Sequence, residues 1–349
     1  MMNRKNFLSA IVPVTASLSA MAKGRSFSGK PLVLDPGERA GLIPGYLKEG
    51  DLIGITCPSG YITYEELEPA ISKMKEWGFG VRLGATVGAR DFTFAGNDEK
   101  RTDDFQAMLD DDTVKAILLG RGGYGAVRIV DAIDFRKFVQ HPKWIVGFSD
   151  ATVFHSHINR NYRIATIHSK MCNSFPLDWQ TATREQVDSI DSIRKCLTGQ
   201  AMSYAASPNP FNRPGSARGS LVGGNLSILE NLSGSISDLD TAGKILFIEE
   251  IEEYLYNIDR MLWNLKRSGK LSRLKALICG GFNKIKPDDP GQDFGKTVYD
   301  MVLEKVDEYG YPVCFDFPVG HQKENYALKC GVEHELDVSG TGAVLKEVI

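Results

Sequence analysis

Segments with the pattern of buried strands alternate with segments that have the pattern of amphipathic helices over residues 51–147. Asp51-Leu-Ile-Gly-Ile-Thr56 is a short apolar run that ends at a Cys-Pro-Ser-Gly turn, and residues 64–78 repeat apolar side chains at the spacing of one helix face. Further strands are predicted at 81–83, 114–119 and 144–147, with helices at 98–109 and 124–138. This alternation predicts a mainly parallel sheet with helices on both faces and ligands at the carboxyl ends of its strands.

A second domain is predicted in the later part of the chain. Residues 198–219 are rich in Pro, Ser, Asn and Gly, which is typical of a domain boundary. Strands predicted at 244–248 and 276–279 and a helix at 256–268 then indicate a smaller α/β or α+β domain, and 349 residues suffice for two cores. We therefore divide the chain as follows: 23–45 a linker or arm, 46–197 the N-terminal α/β domain, 198–219 a linker, and 220–349 the C-terminal domain.

The first residues have the layout of a secretory signal peptide. Arg4 and Lys5 precede a run of apolar and small residues, 7–20, that leads into Ala20-Met-Ala22. The run is short and contains Pro13, which disfavours a membrane-spanning helix. We expect residues 1–22 to be removed on export to the periplasm, by a route that resembles a weakened twin-arginine signal. A non-functional signal would leave the chain in the cytoplasm.

Charge and cysteine content exclude several classes of partner. The 41 basic and 44 acidic side chains are spread along the chain and give a net charge of −3, so neither nucleic acid nor a membrane surface is predicted to bind. The six cysteines lie far apart, without the spacing of a zinc site or a disulfide framework, and are interpreted as small buried side chains. No metal or cofactor is expected.

A glycine-rich turn follows the strand predicted at 114–119. The sequence Gly120-Arg-Gly-Gly-Tyr-Gly125 would let backbone N–H groups approach a ligand closely at the start of a helix, which favours an anion. Its spacing is neither the dinucleotide fingerprint nor that of a P-loop. The alternative is a tight strand-to-helix turn without a ligand.

A candidate nucleophile follows the strand predicted at 144–147. Gly147-Phe-Ser149-Asp-Ala151 places a serine on a strand-to-helix turn, as in a nucleophile elbow, although Ala151 stands where the consensus has glycine. The backbone N–H of the next residue could then face an oxyanion. The alternative is that Ser149 is a helix N-cap.

A serine nucleophile requires a base, and His321 is the best placed of the six histidines. It follows Phe317-Pro-Val-Gly320, a turn at a predicted strand end that would display the side chain in a loop. The others are His141 in a polar loop, His155 and His157 on the helix after Ser149, His168 after a short apolar run, and His334 among charged residues.

A carboxylate that would orient the base is predicted at the end of an apolar strand. Leu246-Phe-Ile-Glu249-Glu250 puts two acids where a charge is costly without a partner. The alternative is that these acids begin a helix, where the helix dipole favours them.

Five motifs, in order, resemble the LD-carboxypeptidase family, which includes murein tetrapeptide carboxypeptidases and microcin-immunity peptidases. They cover nearly the whole chain from about Asp51 onward: Gly120–Gly125; Gly147-Phe-Ser-Asp150; Leu221-Val-Gly-Gly-Asn-Leu226; Phe247-Ile-Glu249 with Tyr256-x-Ile-Asp-Arg260-Met-Leu; and Pro318-x-Gly-His321 with Asn325 and Gly331. The sequence departs from the usual pattern at Lys329, where a proline is frequent, so the local loop shape is expected to differ.

The resemblance implies a flavodoxin-like or amidotransferase-like parallel-sheet domain followed by a smaller swivelling β/α domain, commonly in a homodimer. It also implies that Ser149 attacks, His321 transfers the proton and Glu249, the first acid after the apolar strand, orients His321. The oxyanion donors that it implies are the backbone N–H groups of Asp150 and of Gly123 or Gly122. Apart from the resemblance, Arg121 and Tyr124 of the glycine turn are predicted to contact the substrate. Arg121 is expected either to bind a substrate carboxylate or to pair with a neighbouring acid.

The reaction that the resemblance implies is hydrolysis, through an acyl-enzyme, of the L,D amide bond to the terminal D-alanine of a murein tetrapeptide. The expected partner is therefore a muropeptide. One alternative is a microcin-immunity-like peptidase that cleaves acyl-aminoacyl-nucleotide amides inside the cell, against which an export signal argues. The other is a peptide-binding protein without catalysis, although Ser149, Glu249 and His321 are all present.

Overall fold

The computed structural model describes residues 41–288 and 290–348. The predicted signal peptide, 1–22, and residues 23–40 of the predicted arm lie outside the described residues. The helices are α1 Tyr64–Glu76, α2 Asp98–Asp110, α3 Ala126–Ile129, α4 Arg136–Gln140, α5 Thr152–Tyr162, α6 Arg184–Leu197, α7 Leu226–Asn231, α8 Leu255–Arg267 and α9 Val298–Val306. Within the described ranges no helix is long and apolar enough to cross a membrane.

The strands form two sheets. They are β1 Leu52–Thr56, β2 Gly80–Leu83, β3 Val114–Leu119, β4 Trp144–Gly147, β5 Thr166–His168, β6 Ser203–Ala206, β7 Gly215–Asn225, β8 Ile245–Ile251, β9 Ala276–Asn283, β10 Val313–Cys314, β11 Leu328–Cys330, β12 Glu333–Ser339 and β13 Gly342–Glu347.

The first sheet is mainly parallel, as the sequence predicts, and contains two strands beyond the predicted ones. Its strand order is β11-β5-β4-β3-β1-β2, and β1 to β5 pair in parallel. The bounds of β3 and β4 are those of the predicted strands, because β4 is apolar up to its terminal glycine and β3 is apolar apart from the exposed Lys115. The additions are β5, which was not predicted as a strand, and β11, which comes from the C-terminal part of the chain and pairs antiparallel with β5.

The single helix predicted over 124–138 is wrong, because the chain forms two short helices there. A turn of 3-10 helix, Val130–Ala132, follows α3, and the backbone is then extended at Ile133 before α4 begins. Gln106 of α2 donates to the carbonyl of Asp134 at 3.0 Å and accepts from its N–H at 2.7 Å. The amide side chain thus satisfies backbone groups that a continuous helix would have paired.

The second sheet combines parallel and antiparallel strands. Its order is β10-β9-β8-β7-β12-β13-β6, with β7 to β10 parallel and the other three antiparallel to their neighbours. The segment 198–219, predicted as a linker from its composition, contains β6 and the first residues of β7. These strands could not be predicted from composition, because β7 pairs with β12 and β6 pairs with β13, which lie far along the chain.

A buried ion pair occupies the position where the sequence departs from the family pattern. Lys329 lies in the middle of β11 with 1% of its side chain exposed, and its Nζ lies 2.9 and 3.0 Å from the two carboxylate oxygens of Glu347, which is 5% exposed. The same ammonium lies 4.8 Å from the ring centroid of Tyr46. A strand residue therefore stands where a loop of altered shape was expected.

We expect Lys329→Met to lower the free energy of unfolding by about 3–5 kcal/mol, because the Glu347 carboxylate would remain buried without its partner. Urea unfolding of the purified variant measures this change. Lys329→Met combined with Glu347→Leu should recover most of the loss, since no buried charge then remains. The exposed pair of Arg218 with Glu333 is the control, and Arg218→Met should cost less than about 1 kcal/mol. A single variant as stable as the parent would contradict the prediction.

Candidate active site

Ser149 lies on a strained turn between β4 and α5. Phe148 is extended, Ser149 has φ +62°, and one turn of 3-10 helix, Ser149–Ala151, leads into α5. A non-glycine residue at positive φ costs about 1–3 kcal/mol and persists only where its surroundings impose it. The Ser149 side chain caps neither helix, so the N-cap alternative is wrong.

Two small residues allow this turn to form. A Cβ added to Gly147 would lie 3.1 Å from the Cβ of Ala151 and 3.2 Å from Leu119 Cδ1. Glycine at 147 therefore makes room for Ala151, the residue that departs from the consensus elbow. Ser149 itself is partly exposed, whereas Phe148 and Asp150 on either side are buried. The turn thus presents the hydroxyl-bearing residue and anchors its neighbours.

Hydrogen bonds of Asp150 connect the turn that carries Ser149 to other segments of the first sheet domain. Its carboxylate accepts hydrogen bonds from Ser59 Oγ and, at 2.8 Å, from the backbone N–H of Ala126 at the start of α3. Burial raises the pKa of Asp150, and these hydrogen bonds oppose that rise. The Oδ2 atom of Asp150 is consequently occupied within the protein, whereas the buried Oδ1 has no hydrogen-bond partner among the described residues.

The glycine turn lies directly against Ser149. A Cβ added to Gly122 would lie 3.4 Å from Ser149 Oγ and 3.0 Å from Met171 Cε. Gly123 and Gly125 adopt φ +104° and +144°, which side chains rarely permit. The proximity makes the turn more than a link between β3 and α3, since its backbone borders the Ser149 hydroxyl. Which glycine N–H faces an oxyanion stays a prediction.

Glu249 and His321 are in direct contact. Glu249 lies within β8, fully buried, and its Oε2 is 2.6 Å from His321 Nδ1 and accepts the His321 backbone N–H at 3.2 Å. The chain approaches so closely here that a Cβ on Gly320, at φ +99°, would lie 2.5 Å from Glu249 Cβ. Two hydrogen bonds to one carboxylate oxygen fix the imidazole orientation and favour a proton on Nδ1, which leaves Nε2 as the basic nitrogen.

The neighbouring acid has a different set of contacts. Glu250 accepts hydrogen bonds from Asn225 Nδ2 at 2.9 Å and from the Ser227 backbone N–H at 2.7 Å, and burial raises its pKa. Both acids lie inside β8, and α8 begins only at Leu255. The alternative in which these acids begin a helix is therefore wrong.

The aromatic ring of Phe148 connects the two halves of the site. Its centroid lies 4.8 Å from that of the His321 imidazole, and Phe148 immediately precedes Ser149. Three segments that are remote in sequence thus meet: the turn after β4, the end of β8, and the loop between β10 and β11. A serine hydroxyl, an imidazole and a carboxylate are the groups that nucleophilic acyl transfer requires, and the imidazole contacts the carboxylate directly and the serine turn through Phe148.

The remaining histidines occupy other environments. His168, His155, His157 and His334 are buried, and burial lowers the pKa of each, to about 4 for His155 and His157, so all four are neutral near pH 7. His168 packs edge-on against Phe148 and Phe247, next to the site. His141 is exposed, as its polar loop predicts.

The two residues predicted as weak substrate contacts lie at the exposed surface of the glycine turn. Arg121 Nη1 is 3.5 Å from Glu66 Oε1, which is the pairing with a neighbouring acid that the sequence left open. Tyr124 is half-exposed and packs against Phe94. Among the described residues no group of three or more His, Cys, Asp or Glu side chains is arranged to hold a metal ion.

Sequence reasoning missed two residues that follow β5. Met171 reaches Gly122 beside Ser149, and Lys170 donates from Nζ to the carbonyl oxygen of Gln322 at 2.7 Å, directly after His321. The signal was available, because β5 ends at the same edge of the sheet as β3 and β4. The apolar run before His168, Ile164-Ala-Thr-Ile167, was too short to weigh as strongly as the two glycine-bearing turns.

Comparison with known proteins identifies the family of this chain. Residues 53–169 match the LD-carboxypeptidase N-terminal domain and residues 218–336 match the C-terminal domain of the same family. A Bacillus subtilis (strain 168) protein named "Probable murein peptide carboxypeptidase" is 32% identical over 87% of this chain and 94% of its own length. The "Murein tetrapeptide carboxypeptidase" of Pseudomonas aeruginosa is 27% identical over 80% of this chain and 91% of its own length.

Solved structures share the two-domain architecture. The muramoyltetrapeptide carboxypeptidase of Oxalobacter formigenes aligns with a TM-score of 0.76 at 28% identity, over 85% of this chain and 99% of that one. The microcin C7 self immunity protein MccF also aligns with a TM-score of 0.76, at 21% identity over 88% and 99% of the two chains, and at that identity shows a common fold alone. The domain matches and the relatives establish that this chain belongs to the LD-carboxypeptidase family of serine peptidases.

Proposed function

We propose that the chain hydrolyses the amide bond between the L-centre of a diamino acid and the terminal D-alanine of a murein tetrapeptide. The observation that carries the proposal is the 2.6 Å contact of Glu249 with His321 Nδ1, beside a serine held at φ +62°. The names of the Pseudomonas aeruginosa and Oxalobacter formigenes relatives supply the substrate class. Removal of D-alanine from cell-wall fragments would serve peptidoglycan recycling.

The first half of the reaction forms an ester on Ser149. His321 Nε2 removes the hydroxyl proton as Ser149 Oγ attacks the carbonyl carbon, and Glu249 stabilises the resulting imidazolium through Nδ1. The backbone N–H groups of Asp150 and of Gly122 or Gly123 stabilise the oxyanion. Collapse of the tetrahedral intermediate breaks the C–N bond, and the imidazolium returns its proton to the amine of the departing D-alanine.

The second half hydrolyses the ester. His321 removes a proton from water, the hydroxide attacks the acyl carbon, and the proton returns to Ser149 Oγ as the tripeptide carboxylate leaves. The buried Glu249 carboxylate and the aromatic contact of Phe148 keep the imidazole in one orientation through both halves. Each step uses groups from both sheets, so the two domains must hold one relative pose during turnover.

Export and dimerisation are further parts of the proposal. A signal peptide at residues 1–22 would carry the enzyme to the periplasm, where polymeric and newly released murein peptides occur. A homodimer is the oligomeric state that the resemblance to the family implies. Size-exclusion chromatography with light scattering, and N-terminal sequencing of the chain recovered from a periplasmic extract, test these two points.

The test of the reaction is release of D-alanine by the purified chain from a tetrapeptide, measured by chiral chromatography with mass spectrometry. The tetrapeptide is supplied with diaminopimelate or with lysine at the third position, and the control peptides end in L-alanine. We expect release from the D-terminated peptides only. If the folded chain leaves all of them intact, the substrate assignment fails.

Two further assays then separate the alternatives. Cleavage of aspartyl sulfamoyl adenosine, the ligand named in one MccF complex, would favour the microcin-immunity-like activity. Calorimetric binding of the tetrapeptide without turnover would favour a non-catalytic binding protein. The direct contact of Glu249 with His321 argues against that second alternative, because orienting an imidazole in this way serves proton transfer.

A further inference from the structure

Lys170 occupies the rim between the serine turn and the histidine loop. It follows β5, and the preceding residue, Ser169, donates its backbone N–H to the carbonyl of Gly147 at 3.0 Å. The next residue, Met171, reaches Gly122 beside Ser149. The backbone at Lys170 therefore runs along the elbow that carries the candidate nucleophile.

The Lys170 side chain extends from this rim to the other half of the site. Its Nζ donates to the carbonyl oxygen of Gln322 at 2.7 Å, and Gln322 directly follows His321. The ammonium group thus lies beside the loop that carries the base, while its Cα lies beside the turn that carries the serine. A peptide positioned for attack by Ser149 and for proton transfer by His321 has to lie between these two segments, and Lys170 borders both of them.

Among the residues that the structure describes, the ammonium makes fewer hydrogen bonds than it can donate. An ammonium has three N–H donors, and the Gln322 carbonyl takes one of them. Burial lowers the pKa of Lys170 to about 8, opposed by the charge of Glu324, so most of the lysine remains protonated at pH 7. A partly buried cation of this kind is stabilised by an anion that completes its hydrogen bonds.

Arg121, the other cation considered for this task, is less well placed. Its guanidinium already pairs with Glu66, and 42% of its side chain is exposed. Its Cδ lies 3.7 Å from where a Cβ on Gly60 would stand, and Gly60 belongs to the turn between β1 and α1. Solvent and Glu66 would both weaken its interaction with a substrate anion.

We propose that Lys170 binds the terminal carboxylate of the substrate through its free ammonium N–H donors and thereby selects peptides that end one residue beyond the scissile bond. This inference rests on the proposed function and adds a specificity-determining residue to it. The ligand chemistry is a carboxylate anion within reach of both Gln322 and the serine turn.

The experiment compares two tetrapeptides that differ at one group. One ends in D-alanine and the other in D-alaninamide, which lacks the anion. For the native chain we expect a preference for the carboxylate in kcat/KM. For Lys170→Met we expect KM for the carboxylate peptide to rise by about 10- to 100-fold, the range of a hydrogen bond to a charged group, with kcat/KM for the amide peptide unchanged.

Three control variants make the comparison specific. Lys323→Met removes an exposed charge from the same loop, and Arg121→Met removes the rival cation; neither should change the preference. Lys170→Arg should retain most of it, because the charge is kept. The ratio of kcat/KM values for the two peptides does not depend on the fraction of folded enzyme, so partial misfolding of Lys170→Met does not obscure the result.

Several outcomes would overturn the inference. Equal losses on both peptides would show that Lys170 acts on the structure of the site, and loss of the preference in Arg121→Met would transfer the role to Arg121. A native chain that cleaves both peptides equally would disprove carboxylate selection while leaving the proposed reaction intact. A native chain that cleaves neither peptide would reject the proposed reaction, and this inference with it.

Discussion

Ser149→Ala is expected to lower kcat for D-alanine release by roughly 10⁶-fold, because no other group in the site can form the acyl-enzyme. Rapid-quench mass spectrometry of the native chain should detect a Ser149 ester that is absent from the variant. Ser156→Ala is the matched control, since Ser156 is a buried serine of α5 that contributes nothing to the proposed chemistry. Turnover by Ser149→Ala close to the native rate would contradict the assignment.

The same position should show a conflict between stability and activity. Ser149→Gly removes the side chain that is strained at φ +62°, so this variant should be inactive yet more stable than the native chain by about 1 kcal/mol. Urea unfolding measures the difference. Ser149→Ala keeps the strain and should show no such gain, so the two variants separate the backbone effect from loss of the hydroxyl.

Glu249→Gln is expected to lower kcat by about 10⁴-fold while the fold is retained. Glu249 Oε2 accepts both the Nδ1 proton and the backbone N–H of His321, and an amide nitrogen in its place would favour the wrong tautomer of the imidazole. The loss of charge also removes the partner of the imidazolium. Steady-state kinetics, with circular dichroism as the check of folding, measure the effect.

Glu250→Gln is the control for this variant. Glu250 is also buried in β8, but its carboxylate accepts hydrogen bonds from Asn225 and Ser227 and has no contact with His321 among the hydrogen bonds of the site. We expect its kcat to remain within about tenfold of the native value, since it orients no reacting group. Equal losses in the two variants would mean that the acids act through the stability of β8 and not through His321.

Largely apolar strands were the part of the fold that the sequence predicted best. β3 and β4 have the predicted bounds because nearly all of their residues are buried, which gives apolar runs interrupted only by the exposed Lys115 of β3. The single helix predicted at 124–138 was wrong, because the Gln106 side chain makes the hydrogen bonds to the Asp134 backbone that a continuous helix would have made. The strands β6 and β11 were missed because each is defined by pairing with a remote segment.

The candidate site was less predictable from local patterns. Spacing alone left Ser149 open to interpretation as a helix cap, and only the backbone conformation excludes it. The ordered motifs of the family associated Glu249 and His321, whose contact depends on how closely Gly320 approaches β8. Lys170 is not part of any motif, and its position beside the site is shown by its hydrogen bond to Gln322.

Strand β11 comes from the C-terminal part of the chain but belongs to the first sheet, and this restricts recombination between members of the family. The residues after His321 return to the first sheet as its edge strand, paired with β5. A chimaera joined at 198–219 would therefore inherit that edge from the donor of its C-terminal half, together with Lys329. Its partners Tyr46 and Glu347 would then come from different parents. A hybrid in which β11 is also replaced, so that β5 and β11 come from the same parent, should fold more often than a hybrid made by a simple exchange of halves.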